Sequence, residues 1–457
     1  MIKIKILFVL LGLYSVQNIY AQDTHYWSIQ YGTKSTLLGG AVIGSVSDLS
    51  ASYYNPGAIA LIEDQKFVLT AKVYEYISLT VKDAAKIGED LTSSSMRPSP
   101  PFVAFAIKLD SLGKQQLVFS ALTRQHLEYS FATRRIGPID LYPDQPGYED
   151  FAGGASLDQS LYEGWFGISY SFQASDNIGI GATGYLAYRE QTFQRQNIIK
   201  VLDASNISSL TLFEKFEYQD IRTLLKFGMG FDFRPLTLGF TVTTPSINLF
   251  GSGATANHFF LNGVDLDDDN IDDNIFESNY QEELDSEYRS SWAIGFGGSY
   301  RVDKFRFHIS GEWFDKIDQY NVLDIQPYYS QSSGEIIQNR VDHELNSVFN
   351  YGFGLDYLHS EKLTISLGFV TDFSASVPNS ETNLTISKWD IYHIAGGISF
   401  PIRNSDLAFG LSYSFGSDEI STKLNLAPER NDESRIGQTS QTEVTAKRIK
   451  ILVGFNF

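Results

Sequence analysis

Cysteine is absent from the 457 residues of this chain, and basic residues are few, 35 against 54 acidic ones. Without thiols the chain can form no disulfide framework, no thiolate metal site and no lipidated amino terminus. The formal net charge of -19 argues against a nucleic-acid partner. Long apolar runs are missing too. None reaches the ~20 residues that a transmembrane helix needs, so a helical membrane topology is excluded.

The first 21 residues have the pattern of a secretory signal peptide. Lys3 and Lys5 precede an apolar run over residues 6–16, and Ala21 ends a stretch of the kind that precedes a cleavage site. We expect cleavage after Ala21 and export of the mature chain.

Apolar and polar residues alternate with period two from residue 67 onward, as Phe305, Phe307 and Ile309 do with their neighbours. Such segments are predicted as strands with one apolar face. Fourteen are found, at residues 67–80, 101–109, 115–133, 161–172, 177–193, 216–234, 236–249, 284–302, 304–320, 344–359, 362–376, 386–401, 405–420 and 441–457. Tight connections alternate with long ones, such as 134–160, 250–283 and 321–343, as in membrane barrels with short periplasmic turns. We therefore predict an all-β fold, a 14-stranded antiparallel transmembrane β-barrel over residues 67–457, with both termini in the periplasm.

The final strand supports this prediction. Ile449, Ile451, Val453, Phe455 and Phe457 share one face, and a strand with an aromatic last residue resembles the closing strand of bacterial outer-membrane barrels. The predicted location is the outer membrane of a Gram-negative bacterium, in contact with its lipid and lipopolysaccharide. A large soluble all-β protein is the alternative, although it would need neither this ending nor alternating loop lengths.

One carboxylate interrupts the apolar face of the first strand. Glu75 shares the phase of Phe67 and Leu69. A charge that faces lipid costs only about 0 to 1 kcal/mol near the membrane interface and more at the midplane. We therefore expect Glu75 at the outer interface of the membrane.

Residues 22–66 lack this alternation and are rich in small residues, with breaks at Pro56 and Gly57. They are too few for an independent core. The interior of a fourteen-strand barrel is too wide for side chains alone to fill. We expect the segment to fold inside the lumen as a plug, or hatch.

Several motifs make this chain resemble the FadL-like transporters of long-chain fatty acids and aromatic hydrocarbons. The resemblance rests on Gly39-Gly40-Ala41, Asp48, the run YYNPGA at 53–58, LGFTV at 238–242 and TPS at 244–246. The resemblance covers essentially the whole mature chain. It implies a hatch with a gate at Asn55, Pro56, Gly57 and Ala58, where the family usually has Asn-Pro-Ala. Transporters of this family also tend to kink the third strand inward to open a lateral hole, but residues 115–133 of this chain contain no Gly or Pro to ease such a bend.

Two further sets of residues are candidates for ligand contact. Apolar residues inside the long loops could capture a hydrophobic ligand, although packing within the loops explains them equally well: Leu210, Leu212, Phe213, Phe259, Phe260 and Leu261. Cations in the inward phase could steer a carboxylate: Lys72, Arg189, Lys226, Arg306, Arg448 and Lys450. The favoured alternative is a polar, ion-paired interior, since Asp232, Glu312 and Asp356 share that phase.

Metal and catalytic sites find little support. The acidic residues within 263–287 resemble a solvated external loop more than a Ca²⁺ site, because Asn270 and Phe276 stand where an EF-hand needs Gly and Glu. His308 and His393 come without a nucleophile motif, and we predict neither an enzyme nor a cofactor. The predicted function is passive uptake of small hydrophobic compounds such as long-chain fatty acids or aromatic hydrocarbons. The alternative is a structural or cargo-handling subunit, in complex with other outer-membrane proteins, of a secretion or protein-insertion machine.

Overall fold

The computed structural model describes residues 24–62, 66–86, 89–109, 114–139, 148–202, 207–265, 271–377, 388–402, 405–422 and 440–457. The predicted signal peptide, residues 1–21, lies outside these ranges. No helix within them is long and apolar enough to cross a membrane.

Fourteen long strands of the described residues close into one antiparallel barrel, as predicted. The barrel is closed by its first and last strands, which pair with each other from Val68↔Asn456 to Val81↔Val444. In ring order along the chain the strands are β1 (Phe67–Lys86), β2 (Glu89–Lys108), β3 (Gln115–Ile139), β4 (Glu149–Ser175), β5 (Ile178–Leu202), β6 (Ile207–Phe233), β7 (Leu236–Thr243), β10 (Ala293–Val302), β11 (Phe305–Phe314), β16 (Val348–Ser360), β17 (Leu363–Asp372), β18 (Ile391–Ile402), β19 (Ser405–Thr422) and β20 (Ser440–Asn456).

Six further strands lie in the connections. They are β8 (Ile247–Val264), β9 (Asp273–Asp285), β12 (Ile317–Asn321), β13 (Tyr328–Tyr329), β14 (Ile336–Ile337) and β15 (Asp342–Leu345). Strand β8 continues the line of β7 along β6, and β9 folds back onto β8. Together β6, β8 and β9 form a small sheet beyond the end of β7.

The two faces of the barrel wall differ as the alternation predicts. On β20 the outward residues Ile449, Ile451 and Phe455 are exposed, whereas the inward Lys450 and Leu452 are buried. The outward faces of the other strands carry a similar belt of exposed aromatic and aliphatic residues. An apolar exterior around a polar interior is typical of transmembrane barrels.

Several strands continue far past this apolar belt. On β5 the outward residues are apolar or small up to Tyr188, and then Glu190 follows, yet the strand reaches Leu202. The prediction of loops over most of 134–160 and 250–283 is therefore wrong, because both stretches are largely strands paired with their neighbours. Beyond the lipid no apolar environment requires one face of the strand to be apolar. The alternation of apolar and polar residues therefore ends there, while the backbone hydrogen bonds between the strands continue.

The predicted position of Glu75 is also wrong. Its strand contains a β-bulge between Lys72 and Tyr74, which shifts the pairing with β20 by one residue. A one-residue shift exchanges the two faces of a strand. Tyr74 and Tyr76 consequently point outward, and Glu75 lies buried beside Arg448, with 3.7 Å between Oε1 and Nε.

Residues 24–62 form turns, a short helix α1 (Ala51–Tyr54) and a 3₁₀ helix (Pro56–Leu61). The 3₁₀ helix starts at Pro56, whose fixed φ suits a first turn, and the Asn55 side chain accepts a hydrogen bond from the Gly57 N–H. Nearly all of this segment is buried. Its apolar residues pack against inward-facing ones of β2 to β6, including Phe102, Leu122, Trp165, Tyr185 and Leu224.

Candidate functional site

Glycines on the inner wall allow residues 24–62 to approach the strands backbone to backbone. A Cβ atom added at Gly228 of β6 would meet Asn55 Oδ1 and come within 2.8 Å of Pro56 Cδ and 2.9 Å of the Gly57 nitrogen. Similar contacts with the N-terminal segment exist at Gly181 of β5, Gly239 of β7, Gly297 of β10 and Gly368 of β17. These five glycines form what we call the glycine seat. A side chain at any of them would push the segment away from the wall.

Asn55, the first of the predicted gate residues, connects the segment to the wall directly. Its Nδ2 donates to the carbonyl oxygens of Ile43, at 3.0 Å, and of Met229 on β6, at 2.9 Å. Its Oδ1 accepts from the Gly57 N–H at 3.1 Å. A buried amide with all these partners fixes its backbone firmly, since each lost bond would leave a polar group unsatisfied. The structure thus places Asn55, Pro56 and Gly57 together against β6, and Ala58 lies next to Gly230.

We expect the substitution Gly228→Ala to unseat the N-terminal segment. Its new methyl group would overlap the Asn55 amide and the backbone at Pro56, neither of which can rotate away. Overpacking of this kind costs about 1–3 kcal/mol. Limited proteolysis of the purified barrel should then cleave residues 24–62 faster than in the wild type. The control is Gly184→Ala on β5, where the nearest atom to the new Cβ is Leu225 Cδ2 at an ordinary 3.6 Å; equal protection of both variants would contradict the expectation.

A second anchor holds the start of the segment. Asp372, at the end of β17, is buried and accepts hydrogen bonds from the backbone N–H groups of Tyr26, at 3.0 Å, and Trp27, at 2.8 Å. Its other oxygen accepts from the Ser28 hydroxyl at 2.7 Å. His393, one of the two histidines considered in the sequence, lies 3.5 Å from the same oxygen. The carboxylate therefore joins this segment to β17 and β18.

The other histidine, His308 of β11, links the segment to the wall in a similar way. Its Nδ1 lies 2.7 Å from the Ser45 hydroxyl and its Nε2 lies 3.2 Å from Asp356 Oδ2 of β16. His308 thus contacts both the wall and the segment, whereas His393 contacts Asp372, the carboxylate that holds the segment.

The predicted lumen cations are held by polar partners wherever their side chains are described. Lys226 pairs with Glu312 at 3.2 Å, and Lys450 donates to the Ser28 carbonyl oxygen at 3.0 Å. Arg448 and Lys450 both lie near Glu75, and Arg306 donates to the Ser299 hydroxyl at 2.8 Å. The side chain of Lys72 lies outside the described part of the structure. These contacts favour the ion-paired interior over a row of free cations.

The sixth cation, Arg189, belongs to a buried cluster that the sequence did not reveal. Glu163 of β4 bridges two arginines, with 2.8 Å between Oε2 and Arg189 Nη1 and 2.6 Å between Oε1 and Arg222 Nη2. Asp220 pairs with Arg222 at 3.2 Å. All four groups are buried at the level where the apolar belt ends on β5 and β6. A signal existed, because each residue lies in the inward phase of its strand, but only the strand pairing shows that they meet.

Residues 286–292 and 315–347 cover this cluster from the outside. Tyr288 packs its ring on both guanidinium groups, and Val322, Leu323, Val341 and Leu345 form an apolar core above it. Burial, aided by the nearby arginines, lowers the pKa of His343 well below its usual range, so this ring is neutral. We call residues 286–292 and 315–347 the outer cap.

The predicted capture residues meet in the sheet of β6, β8 and β9. Leu210 pairs with Leu261 and Leu212 with Phe259, while Thr211 faces Phe260 and Phe213 faces His258. Leu210 and Leu261 are buried with Phe151 of β4 and Ile199 of β5. The structure therefore places all six predicted residues in one small sheet beyond the apolar belt, with Leu210, Leu212, Phe259 and Leu261 on one face. Phe213 and Phe260 lie on the other face. Packing accounts for the buried ones, whereas Phe259 and Phe260 remain partly exposed.

The acidic stretch 263–287 is described only in part, because residues 266–270 lie outside the described ranges. Among the described residues no group of three or more acidic, histidine or cysteine side chains is arranged to hold a metal ion.

Strands β2 and β3 pair with each other only near the connection that joins them, at the end of β2 and the start of β3. Their ladder runs from Lys108↔Gln116 to Phe102↔Leu122, and above it β2 pairs with β1 and β3 with β4. A hydrogen bond from the Ser130 N–H to the Ser93 hydroxyl bridges the two strands beyond this ladder. Two sequence features coincide with this unpaired seam. Prolines at 98, 100 and 101 cannot donate ladder bonds, and a bulge at Arg124 interrupts the pairing of β3 with β4.

Three cavities show how far the interior is filled. A cavity of about 750 Å³ lies below the segment, lined by Leu38, Val42 and Leu61 together with Arg306, His308 and Asp356. Two cavities beside the segment, at Tyr53 and at Trp389, hold only about 20 and 30 Å³. Spaces of that size admit one or two water molecules. The large cavity therefore lies between the segment and the barrel end that carries the turn at 234–235, and the two spaces beside the segment are small.

The architecture is similar to that of several solved structures. No protein-family model matches the sequence, and no curated protein matches it either. A FadL homologue from Pseudomonas aeruginosa superposes with a TM-score of 0.60 at 12% identity, covering 95% of this chain and 99% of that one. The barrel has the FadL fold. The Pseudomonas putida toluene transporter TodX gives a TM-score of 0.55 at 12% identity over 96% of this chain and 99% of its own.

A further similar structure is that of the monoaromatic hydrocarbon channel CymD. It gives a TM-score of 0.53 at 10% identity, over 93% of this chain and 97% of its own. At such identities the likeness establishes the FadL fold of this chain, and the residues of its own interior must carry any argument about function.

Proposed function

We propose that this chain is a channel of the Gram-negative outer membrane through which small hydrophobic compounds, such as aromatic hydrocarbons or long-chain fatty acids, enter passively. The FadL fold, the exposed apolar belt and the polar interior support this location and role. Both termini then lie on the periplasmic side, at the end of the barrel with tight turns such as 303–304 and 361–362.

Residues 22–66 serve as the plug in this proposal, between a signal peptide at 1–21 and the barrel at 67–457. The glycine seat, Asn55 and Asp372 hold the described residues 24–62 against the wall. The gate is the turn from Asn55 to Ala58, because its hydrogen bonds to β6 would have to break for the segment to leave that wall. Ligand enters from the sheet that contains Leu210 and Phe260.

The seam between β2 and β3 carries the proposal. It is a stretch of wall where two long strands run side by side without a backbone ladder, and it begins within the apolar belt, since Leu122 lies level with Trp165 of β4. Directly below it, the outer surface has an apolar groove of about 570 Å³ lined by Phe105, Phe119 and Phe166. A hydrophobic molecule that leaves the lumen here reaches lipid without crossing water.

Uptake by living cells tests the proposal. Deletion of the gene should lower the uptake of labelled toluene or oleate severalfold, and expression of the intact chain should restore it. A variant with Ser95→Phe and Leu127→Trp, which lie on the stretches of β2 and β3 that do not pair with each other, should restore less than the wild type if bulk there obstructs the exit. Unchanged uptake after deletion, together with stable co-purification of other outer-membrane proteins, would contradict the proposal and favour a subunit role.

A further inference from the structure

The ring of Tyr288, in the outer cap, lies against three planar groups. Arg189 Cζ is 3.9 Å from the ring centroid and Arg222 Cζ is 4.6 Å away. The imidazole of His343 is stacked at 5.2 Å, with 23° between the planes. Burial of all four groups keeps water from weakening these contacts. Desolvated cation–π pairs are worth up to about 2 kcal/mol each.

The edges of both guanidinium groups are used at every nitrogen except Arg222 Nε, which is buried without a hydrogen-bond partner. Arg189 donates from Nε, Nη1 and Nη2, and Arg222 donates from Nη1 and Nη2. The acceptors are Tyr218, Gln125, Glu163, Gln191 and Asp220. These N–H groups lie in the guanidinium plane, so apart from the Arg222 Nε–H the surface that remains for another molecule is the face of each group. A face binds an aromatic ring well, whereas a carboxylate would first have to displace Glu163 or Asp220.

Two walls of this slot belong to a different part of the chain from its occupant, whereas the third, His343, lies in the outer cap with Tyr288. Arg189 and Arg222 stand on the long paired strands β5 and β6. Tyr288 belongs to a connecting segment outside the barrel ladder, where its own N–H donates to Asp220 Oδ2 at 3.3 Å and the next N–H donates to the Tyr320 hydroxyl at 2.9 Å. The ring can therefore leave the slot with its segment while the arginines stay in place.

We propose that the slot formed by Arg189, Arg222 and His343 binds the ring of a small, electron-rich aromatic hydrocarbon, and that Tyr288 fills it when no such molecule is present. This inference rests on the proposed function, which it narrows to aromatic hydrocarbons in preference to fatty acids. An entering aromatic exchanges one ring for another, so the slot never stands empty. The released segment 286–292 opens the outer cap above the lumen.

Binding of two ligands of equal shape tests the slot. Toluene and methylcyclohexane are nearly the same size, but only toluene has a π face. With the purified full-length protein in detergent, Tyr288→Ala should bind toluene about tenfold more tightly than methylcyclohexane, which is the worth of one buried cation–π contact. Tyr288→Phe keeps a ring in the slot and should bind toluene as weakly as the wild type. Adding His343→Leu to Tyr288→Ala should reduce the preference for toluene.

A measurement on the unaltered protein covers the case in which Tyr288→Ala fails to fold. Toluene should raise hydrogen–deuterium exchange in residues 286–292 of the wild type, and methylcyclohexane should not. Equal affinities for the two ligands, or equal exchange, would mean a plain cavity and overturn the proposal. Cellular uptake distinguishes this proposal from the proposed function. If toluene binds in the slot but deletion of the gene does not lower uptake, the slot is supported and the uptake function is contradicted. If deletion lowers uptake but the two ligands bind equally well, only the slot is contradicted.

Discussion

Oxidation of a protein that carries Ala41→Cys and Gly352→Cys should abolish uptake, and reduction should restore it. A Cβ at Gly352 of β16 would lie 3.2 Å from the Ala41 Cβ and 3.1 Å from the Phe369 carbonyl oxygen, and it would overlap the buried side chain of Val370, which has to shift. The Cβ atoms of a disulfide lie about 3.5–4.5 Å apart, so a shift of a few tenths of an ångström suffices. Since the native chain has no cysteine, the new bond can form in one way only.

The bond would hold the whole segment, because it is tied internally. The Asn55 amide donates to the Ile43 carbonyl and the Tyr31 N–H donates to the Tyr54 hydroxyl at 3.0 Å. Uptake of labelled toluene by cells that express the pair should fall to the level of the deletion strain. Each single cysteine variant, treated with the same oxidant, is the matched control and should keep its uptake. Full uptake through the oxidised pair would show that the segment need not leave the wall.

Glu163→Ala should lower the free energy of unfolding by about 3–5 kcal/mol, the usual cost of leaving a buried charge without its partner. Glu163 is the shared acceptor of Arg189 and Arg222, and it also accepts from the Trp165 indole N–H at 2.6 Å. Its removal leaves two guanidinium groups with Asp220 as the nearest remaining carboxylate in the cluster. Urea unfolding in detergent, followed by tryptophan fluorescence, measures the loss.

The control for this substitution is an ion pair of similar length on the surface. Lys316 and Asp318 lie 2.7 Å apart, but their side chains are 65% and 84% exposed. Asp318→Ala should therefore cost about 0–1 kcal/mol. Glu163→Gln, which can still accept one hydrogen bond, should fall between the two. Similar losses for Glu163→Ala and Asp318→Ala would mean that the cluster does not hold β4, β5 and β6 together.

The ring of strands was predictable because lipid imposes a simple rule on sequence. Where Phe305 and Ile309 face the membrane, the residues between them must face the interior, and the pattern is visible in the chain. The pairing of the last strand with the first follows from closure alone. Beyond the membrane this rule no longer applies. On β5 the inward residues Arg195, Asn197 and Ile199 share one face but mix charged, polar and apolar side chains.

The cluster and the bulge were not predictable for a different reason. Glu163, Arg189 and Arg222 stand on three strands, so their meeting depends on register, which one sequence does not display. The bulge at Lys72 and Tyr74 adds one residue, and this reverses the inferred side of Glu75. The hatch motif pointed to Asn55, but the glycine seat on five distant strands becomes visible only when the segment and the wall are seen together.

The height of the strands has a consequence for how a compound first meets this protein. Residues 189–202 of β5 continue past the apolar belt, and at ordinary strand rise and barrel tilt they extend roughly 35 Å beyond it. In the outer-membrane location proposed above, the wall on this side of the barrel would stand clear of the lipid headgroups and reach through the sugar layer of lipopolysaccharide. The partly exposed Phe259 and Phe260 near its rim meet molecules dissolved in water, at their aqueous concentration, before the membrane can absorb them.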